Sequence, residues 1–115
     1  ENKSFIEVCG SGKATREFLY IEDAALGIIL ALEKYNKQEP VNLGSGEEIP
    51  IKTVVELICE IAGFRGEIKW DVSRPEGQPR RSLDVSLAKK EFGFSAKIGI
   101  REGLKKTVDW YLSTL

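Results

Sequence analysis

The spacing of apolar positions along this chain predicts short strands interspersed with helices. Strands are predicted over residues 5–9, 16–21, 40–43 and 67–71, and helices over residues 24–35, 51–62, 86–93 and 101–112. Gly63 is placed to end the second helix, and two prolines and a glycine mark residues 73–81 as a loop. Short strands with about four helices at uneven spacing favour a small α+β unit of the α/β class, with residues 1–115 forming a single domain.

The helix predicted over residues 24–35 carries almost no polar side chain in its first three turns. Such a helix is buried on most sides, which a domain of 115 residues supplies with difficulty. Close packing against a further surface is permitted by the small residues Ala24, Ala25, Gly27 and Ala31. The chain contains no methionine. We therefore expect Glu1 to be a cut point in a longer protein whose neighbouring domain covers this helix.

The composition excludes several classes of function. Seventeen basic against eighteen acidic residues give no global basic field, so nucleic acid is not an expected partner. The absence of histidine removes imidazole bases and histidine-ligated zinc, and no metal site is predicted. Cys9 and Cys59 are too sparse for a disulfide scaffold and fit a reducing, cytoplasmic compartment, with Cys59 filling the core. The longest apolar run, 24–32, is too short to span a membrane, and the first residues do not lead us to expect a signal peptide.

Two glycine-rich segments superficially match phosphate-binding loops. Residues 10–15 lack the Ser or Thr that must follow Lys13, and the segment after them is predicted as a strand rather than a helix. Residues 44–46 lack the third glycine of the dinucleotide motif, since Ile49 stands in its place. We predict a turn at each segment, and a polar turn at the adjacent carboxylates Glu47 and Glu48.

Arginines flank the first glycine loop and populate the 73–81 loop. The planar guanidinium makes paired hydrogen bonds to phosphate oxygens, which lysine does not imitate. Two separate loops that carry arginines could therefore clamp a diphosphate. From the residues alone, solvated surface charge is the alternative for each of Arg16, Arg74, Arg80 and Arg81.

Four segments carry longer motifs in a fixed order along the chain. They are residues 8–23 (VCGSGKATREFLYIED), 41–46 (VNLGSG), 74–86 (RPEGQPRRSLDVS) and 100–111 (IREGLKKTVDWY). Together they resemble nucleotide-sugar epimerases and dehydratases, which are extended short-chain dehydrogenase/reductases. The third segment is most similar to the GDP-L-fucose synthase branch of that family.

The resemblance implies the C-terminal, substrate-binding part of such an enzyme. Arg16 matches the family's diphosphate-contacting arginine, and Arg74 matches a second phosphate-contacting arginine. Val8 and Cys9 correspond to the segment beside the nucleobase, where Cys9 replaces a common tryptophan or tyrosine. The candidate substrate-binding residues are Val8, Cys9, Arg16, Arg74, Arg80 and Arg81. Asp84 is expected to cap a helix, and Trp110 to pack in the core.

The family's reduction machinery has no counterpart in these residues. It consists of a Tyr-x-x-x-Lys pair and a Gly-x-x-Gly-x-x-Gly loop, whereas the residues four after the three tyrosines are Ala24, Glu39 and Leu115. The resemblance thus implies that NAD or NADP is bound by an N-terminal Rossmann domain outside this chain, which itself binds no cofactor and has no catalytic residue. The expected partners are that domain and a GDP- or UDP-sugar.

A second hypothesis belongs to a different class of function. The chain could be a non-catalytic interaction or scaffold module of the same fold, with the apolar helix as its docking surface. In either case, an exposed apolar face predicts self-association of the isolated chain.

Overall fold

The computed structural model describes residues 4–115, and the cut point expected at Glu1 lies outside that range. Within it the chain forms β1 (Phe5–Cys9), β2 (Thr15–Glu17), α1 (Ile21–Lys34), β3 (Glu48–Pro50), α2 (Ile51–Ala62), β4 (Glu67–Asp71), α3 (Ser86–Phe92) and α4 (Ile100–Ser113). This small α+β architecture confirms the predicted fold class. The strands at 5–9 and 67–71 and the helix at 51–62 have the predicted bounds.

The strands form two separate two-stranded ribbons. β1 pairs in parallel with β4, from Phe5 opposite Glu67 to Cys9 opposite Asp71. β2 pairs antiparallel with β3, with Arg16 opposite Ile49. Because β3 runs directly into α2, the second ribbon fixes the start of that helix beside the loop that follows β1.

The strand predicted over residues 40–43 is wrong. That segment has no regular structure, and the strand lies instead at Glu48–Pro50, where β2 supplies its hydrogen-bonding partner. The polar turn predicted at Glu47–Glu48 is wrong for Glu48, which is part of β3. The extended segment predicted over 16–21 is shorter than expected, because α1 already begins at Ile21.

The core is built around the short helix α3. Ala88, Phe92 and Phe94 are buried there, and the Tyr35 ring meets that of Phe92 edge to face at 5.7 Å. The predicted stop at Gly63 is confirmed, and Gly93 likewise follows the last residue of α3; both glycines adopt the left-handed conformation that favours this residue. Cys59 is buried as predicted.

One prediction about packing is wrong for the chain by itself: Trp110 does not pack in the core but is 66% exposed. α1 is incompletely buried, as expected for a chain of this size: of its residues only Asp23 and Gly27 are buried, and Ile28 and Leu32 are 62% and 85% exposed. The reason is that α1 packs on α3 along one side and leaves its other apolar side uncovered. No helix in residues 4–115 is long and apolar enough to cross a membrane.

Candidate functional site

A cleft of about 170 Å³ lies where the loop after β1 meets the start of α2 and the 73–81 loop. It is lined by Cys9, Gly12, Ala14, Arg16, Ile51, Pro75 and Glu76. A larger groove of about 610 Å³ between the start of α1 and α4 is mainly apolar. We place the candidate site in the smaller cleft, because it brings two predicted site residues, Cys9 and Arg16, together with the loop that carries the other arginines.

The glycine loop forms one wall of the cleft and depends on glycine at two positions. Gly10 and Gly12 have φ angles of +90° and +79°, a region that other residues adopt only with strain. A Cβ on Gly12 would lie 2.8 Å from the Trp70 ring and 2.9 Å from Cβ of Lys52. The sequence therefore selects glycine here for both backbone conformation and close approach.

Carbonyl groups of the same loop accept hydrogen bonds from the first amides of α2. The Gly12 carbonyl accepts a hydrogen bond from the Lys52 amide at 3.0 Å, and the Ala14 carbonyl accepts one from the Ile51 amide at 2.9 Å. These N–H groups are the donors that a phosphate would otherwise use at a helix N-terminus. An anion in the cleft must therefore be held chiefly by side chains.

Arg16 projects from the centre of β2 and is half-buried. Its Nη1 donates to the Thr15 carbonyl at 2.7 Å, and the 73–81 loop passes close by, since a Cβ on Gly77 would lie 3.6 Å from Nη2. Within residues 4–115 the Arg16 guanidinium forms no ion pair, whereas those of Arg74 and Arg80 do. Its remaining N–H groups are free to bind an anion.

Glu76 ties the two walls of the cleft together. Its Oε1 accepts hydrogen bonds from both the amide and the hydroxyl of Ser11, each at 2.7 Å. These bonds lower the pKa of Glu76 below its ordinary value, and the bond from the Ser11 hydroxyl makes the largest contribution. The carboxylate is therefore ionised at neutral pH and is already engaged with protein donors.

The other predicted arginines differ in their surroundings. Arg74 is exposed, and its Nε lies 3.4 Å from Oδ2 of Asp71, the strand partner of Cys9. Arg80 directs Nε at both carboxylate oxygens of Glu48, 2.8 Å from each. Arg81 is exposed, and its side chain forms no ion pair or hydrogen bond with the described part of the chain.

Glu48 is a site-supporting residue that the sequence did not reveal. Its carboxylate accepts the hydroxyl of Thr15 as well as Nε of Arg80, and these bonds lower its pKa. Glu76 and Glu17, which also join the site's loops, were likewise not predicted. No local pattern marks these residues, because their partners lie 29 to 66 positions away along the chain.

Val8 and Cys9 occupy opposite faces of β1. Val8 is half-buried and opposite Trp70, whereas Cys9 is exposed and lines the cleft. Alternation along a strand requires this difference. The cleft therefore gathers Cys9 and Arg16, while the Val8 side chain faces away from it. The contacts predicted for these residues with substrate stay predictions.

These residues do not fit a bound dinucleotide. In residues 4–115 the loop at Gly10–Gly12 leads into strand β2, and the turn at Gly44–Gly46 leads into strand β3. Neither opens directly onto a helix whose N-terminal amides could hold a pyrophosphate. The cap predicted at Asp84 is wrong: Val85 is the N-cap of α3 and forms no side-chain cap bond, while Asp84 lies one residue before it and accepts the amide and hydroxyl of Ser86.

Comparison with known proteins gives a consistent result. Residues 1–44 match the model of the NAD dependent epimerase/dehydratase family. The chain is 39% identical over 110 residues to GDP-L-fucose synthase 1 of Arabidopsis thaliana, which is 96% of this chain and 34% of that protein. The chain is thus similar to the NAD-dependent epimerase/dehydratase family over residues 1–44, and to GDP-L-fucose synthases over nearly its whole length. It spans about a third of the length of the relatives it matches.

Solved structures of similar proteins share the fold of this chain. A GDP-L-fucose synthetase from Naegleria fowleri bound to NADP superimposes with a TM-score of 0.87 at 28% identity, over 96% of this chain and 35% of that one. A UDP-glucose 4-epimerase from Thermotoga maritima with UDP-glucose superimposes with a TM-score of 0.86 at 29% identity, over 95% of this chain and 35% of that one. The motifs that carry the predicted resemblance thus fold as they do in this family.

Proposed function

We propose that this chain binds a nucleotide sugar in the cleft around Arg16 and that Arg16 holds the diphosphate. One observation carries the proposal: Arg16 is a half-buried arginine in a cleft, without an ion-pair partner in residues 4–115. Burying an unpaired cation is costly unless a ligand supplies the negative charge. A diphosphate matches the paired donors of a guanidinium.

The chain's contribution to catalysis is orientation. We infer that it is the C-terminal, substrate-binding part of an NAD(P)-dependent epimerase, dehydratase or GDP-fucose-synthase-like enzyme. Hydride transfer at a sugar carbon then belongs to a Rossmann domain outside these residues. Holding the diphosphate orients the sugar for reaction, and this orientation lowers the activation barrier of hydride transfer.

The ligand class follows from the relatives. GDP-L-fucose synthases are among the matched proteins, and one matched structure holds UDP-glucose. We therefore propose a GDP- or UDP-sugar. Arg74 and Arg81 are assigned as further phosphate contacts from the 73–81 loop, whereas Arg80, the third arginine predicted there, is paired with Glu48 and anchors that loop. The β1 segment at Val8 and Cys9 is assigned as the surface beside the base.

Calorimetric titration with GDP, UDP and a GDP-sugar tests the proposal. Arg16→Ala should weaken affinity about tenfold to a hundredfold, because hydrogen bonds to charged groups are worth roughly 1.5–3 kcal/mol. The affinity of Arg16→Lys should lie between those of wild type and Arg16→Ala, since lysine keeps the charge but loses the paired hydrogen-bond geometry. Arg65→Ala is the control: it removes the same charge from an exposed loop at the opposite end of the β1–β4 ribbon. Equal affinity of Arg16→Ala and wild type would refute the assignment.

A scaffold role remains the second candidate, favoured by the exposed apolar side of α1. It predicts that the chain binds none of these nucleotides. The same titration therefore separates the two functions.

A further inference from the structure

Two carboxylates stand directly opposite each other in the β2–β3 ribbon. Glu17 pairs with Glu48, an arrangement that is unfavourable when both charges face one another without compensation. Each carboxylate accepts hydrogen bonds from its own set of donors. Glu48 binds Thr15 and Arg80, whereas Glu17 accepts the amide of Gly46 on Oε2 at 2.5 Å and that of Leu83 on Oε1 at 2.9 Å.

These bonds fasten the arginine-bearing segment 80–83 to β2. Thr15 and Arg80 form a parallel bridge, supported by the bond from the Arg81 amide to the Thr15 carbonyl at 3.2 Å. In a parallel pair the residues that follow a bridged pair are also neighbours, on the opposite face. The bridge is a single pair, and its register directs the next residue, Arg81, to the side of β2 that carries Arg16, which lines the cleft. Arg80 shares the other face with Glu48.

Two backbone bonds hold the start of this segment, from the Thr15 amide to the Pro79 carbonyl at 2.9 Å and from the Arg81 amide to the Thr15 carbonyl. Residues 80–84 are all exposed, and Leu83 itself is 44% exposed. Two neighbouring arginines also repel each other. Beyond Arg81 the segment is therefore held by polar contacts, of which the bond from the Leu83 amide to Glu17 is one.

We propose that Glu17 is a positioning residue of the diphosphate site: by holding the Leu83 amide, it keeps Arg81 beside Arg16 as the second arm of a two-arginine fork. This inference rests on the proposed function and deepens it. It assigns no substrate contact to Glu17, whose carboxylate is engaged with the two amides.

A double-mutant cycle tests the proposal by titration with a GDP-sugar. Glu17→Ala and Arg81→Ala should each weaken affinity about fivefold, and the double variant should be no weaker than either single one, because Arg81 contributes only when Glu17 holds it. Glu17→Gln, which can still accept one amide, should recover part of the affinity. Glu47→Ala is the control: it removes an adjacent exposed charge and leaves the Leu83 amide bonded.

Hydrogen exchange supplies an independent measurement. The Leu83 amide should exchange faster in Glu17→Ala than in wild type, and at the wild-type rate in Glu47→Ala. If Glu17→Ala does not fold, as judged by circular dichroism, Glu17→Gln carries both measurements.

The outcomes separate this inference from the function on which it rests. If wild type binds and Arg16→Ala is weakened, but Glu17→Ala binds normally or the cycle is additive, only the positioning role is overturned. If wild type binds no nucleotide sugar, both proposals fall.

Discussion

Glu76 and Ser11, 65 positions apart in sequence, are joined by two 2.7 Å hydrogen bonds to one carboxylate oxygen. The pair links the glycine loop to the 73–81 loop across the cleft that contains Arg16. The shape of the cleft therefore depends in part on a polar contact between two loops.

The Glu76–Ser11 link should make stability depend on pH. The folded-state pKa of Glu76 is lowered from 4.5, chiefly by the Ser11 hydroxyl. When folding lowers the pKa of a carboxyl group, ionisation of that group stabilises the fold at any pH above its unfolded-state pKa. This stabilisation is lost as the pH falls through the folded-state pKa. The melting temperature of wild type should therefore exceed that of Glu76→Gln at pH 7, and the difference should close below about pH 4.5. Thermal melts across pH 3–7 measure this. Glu56→Gln, on an exposed part of α2, should track wild type. A gap that widens in acid would contradict the account.

The two cysteines should differ in reactivity. Cys9 is exposed and lines the cleft, whereas Cys59 is buried and burial raises the pKa of its thiol. Since the thiolate is the reactive form, N-ethylmaleimide should label Cys9 first. Saturating GDP-sugar should slow labelling of Cys9 and leave Cys59 unchanged, as followed by peptide mass spectrometry. Equal labelling of Cys9 with and without nucleotide would argue against a ligand in this cleft.

Gly12 should resist substitution more strongly than Gly63. Both have positive φ, but an added Cβ at Gly63 meets nothing within 4 Å, whereas at Gly12 it meets Trp70 and Lys52. Gly63→Ala should cost about 1–2 kcal/mol for the conformation alone, and Gly12→Ala roughly 1–3 kcal/mol more for overpacking. Urea unfolding of the two variants measures the difference. Equal losses would show that the close approach at Gly12 is unimportant.

The apolar side of α1 should drive self-association of this chain. Ile21, Ile28 and Leu32 lie on one stripe of the helix and are each more than 60% exposed. We expect dimers or larger species at high concentration, and Leu32→Lys should shift them towards monomer in sedimentation velocity. Thr53→Lys, exposed on α2, is the matched control for charge. A wild-type chain that stays monomeric at millimolar concentration would contradict this prediction.

The helices and the strands β1 and β4 could be predicted from sequence because their signals are local. α2 combines a broad apolar face with Gly63 at its end, and β4 alternates polar and apolar residues along its length. β3 could not be predicted, because three residues ending in Pro50 form a strand only when β2 pairs with them.

The site was only partly predictable for the same reason. Arg16 and Cys9 were found because they stand in motifs that resemble a family. The carboxylates that organise the cleft gave no such signal. Glu17, Glu48 and Glu76 act through partners that only the tertiary fold brings near. Asp23 lies in the first turn of α1, and no local pattern indicated that its buried carboxylate accepts the amides of Lys97 and Ile98 before α4.

The most direct test of the central claim is a crystal structure of this chain with a GDP-sugar. The account predicts that diphosphate oxygens lie within about 2.7–2.9 Å of the Arg16 guanidinium nitrogens, in the cleft beside Cys9. A nucleotide bound elsewhere, such as in the apolar groove at Tyr20 and Trp110, with Arg16 free of contact, would contradict it.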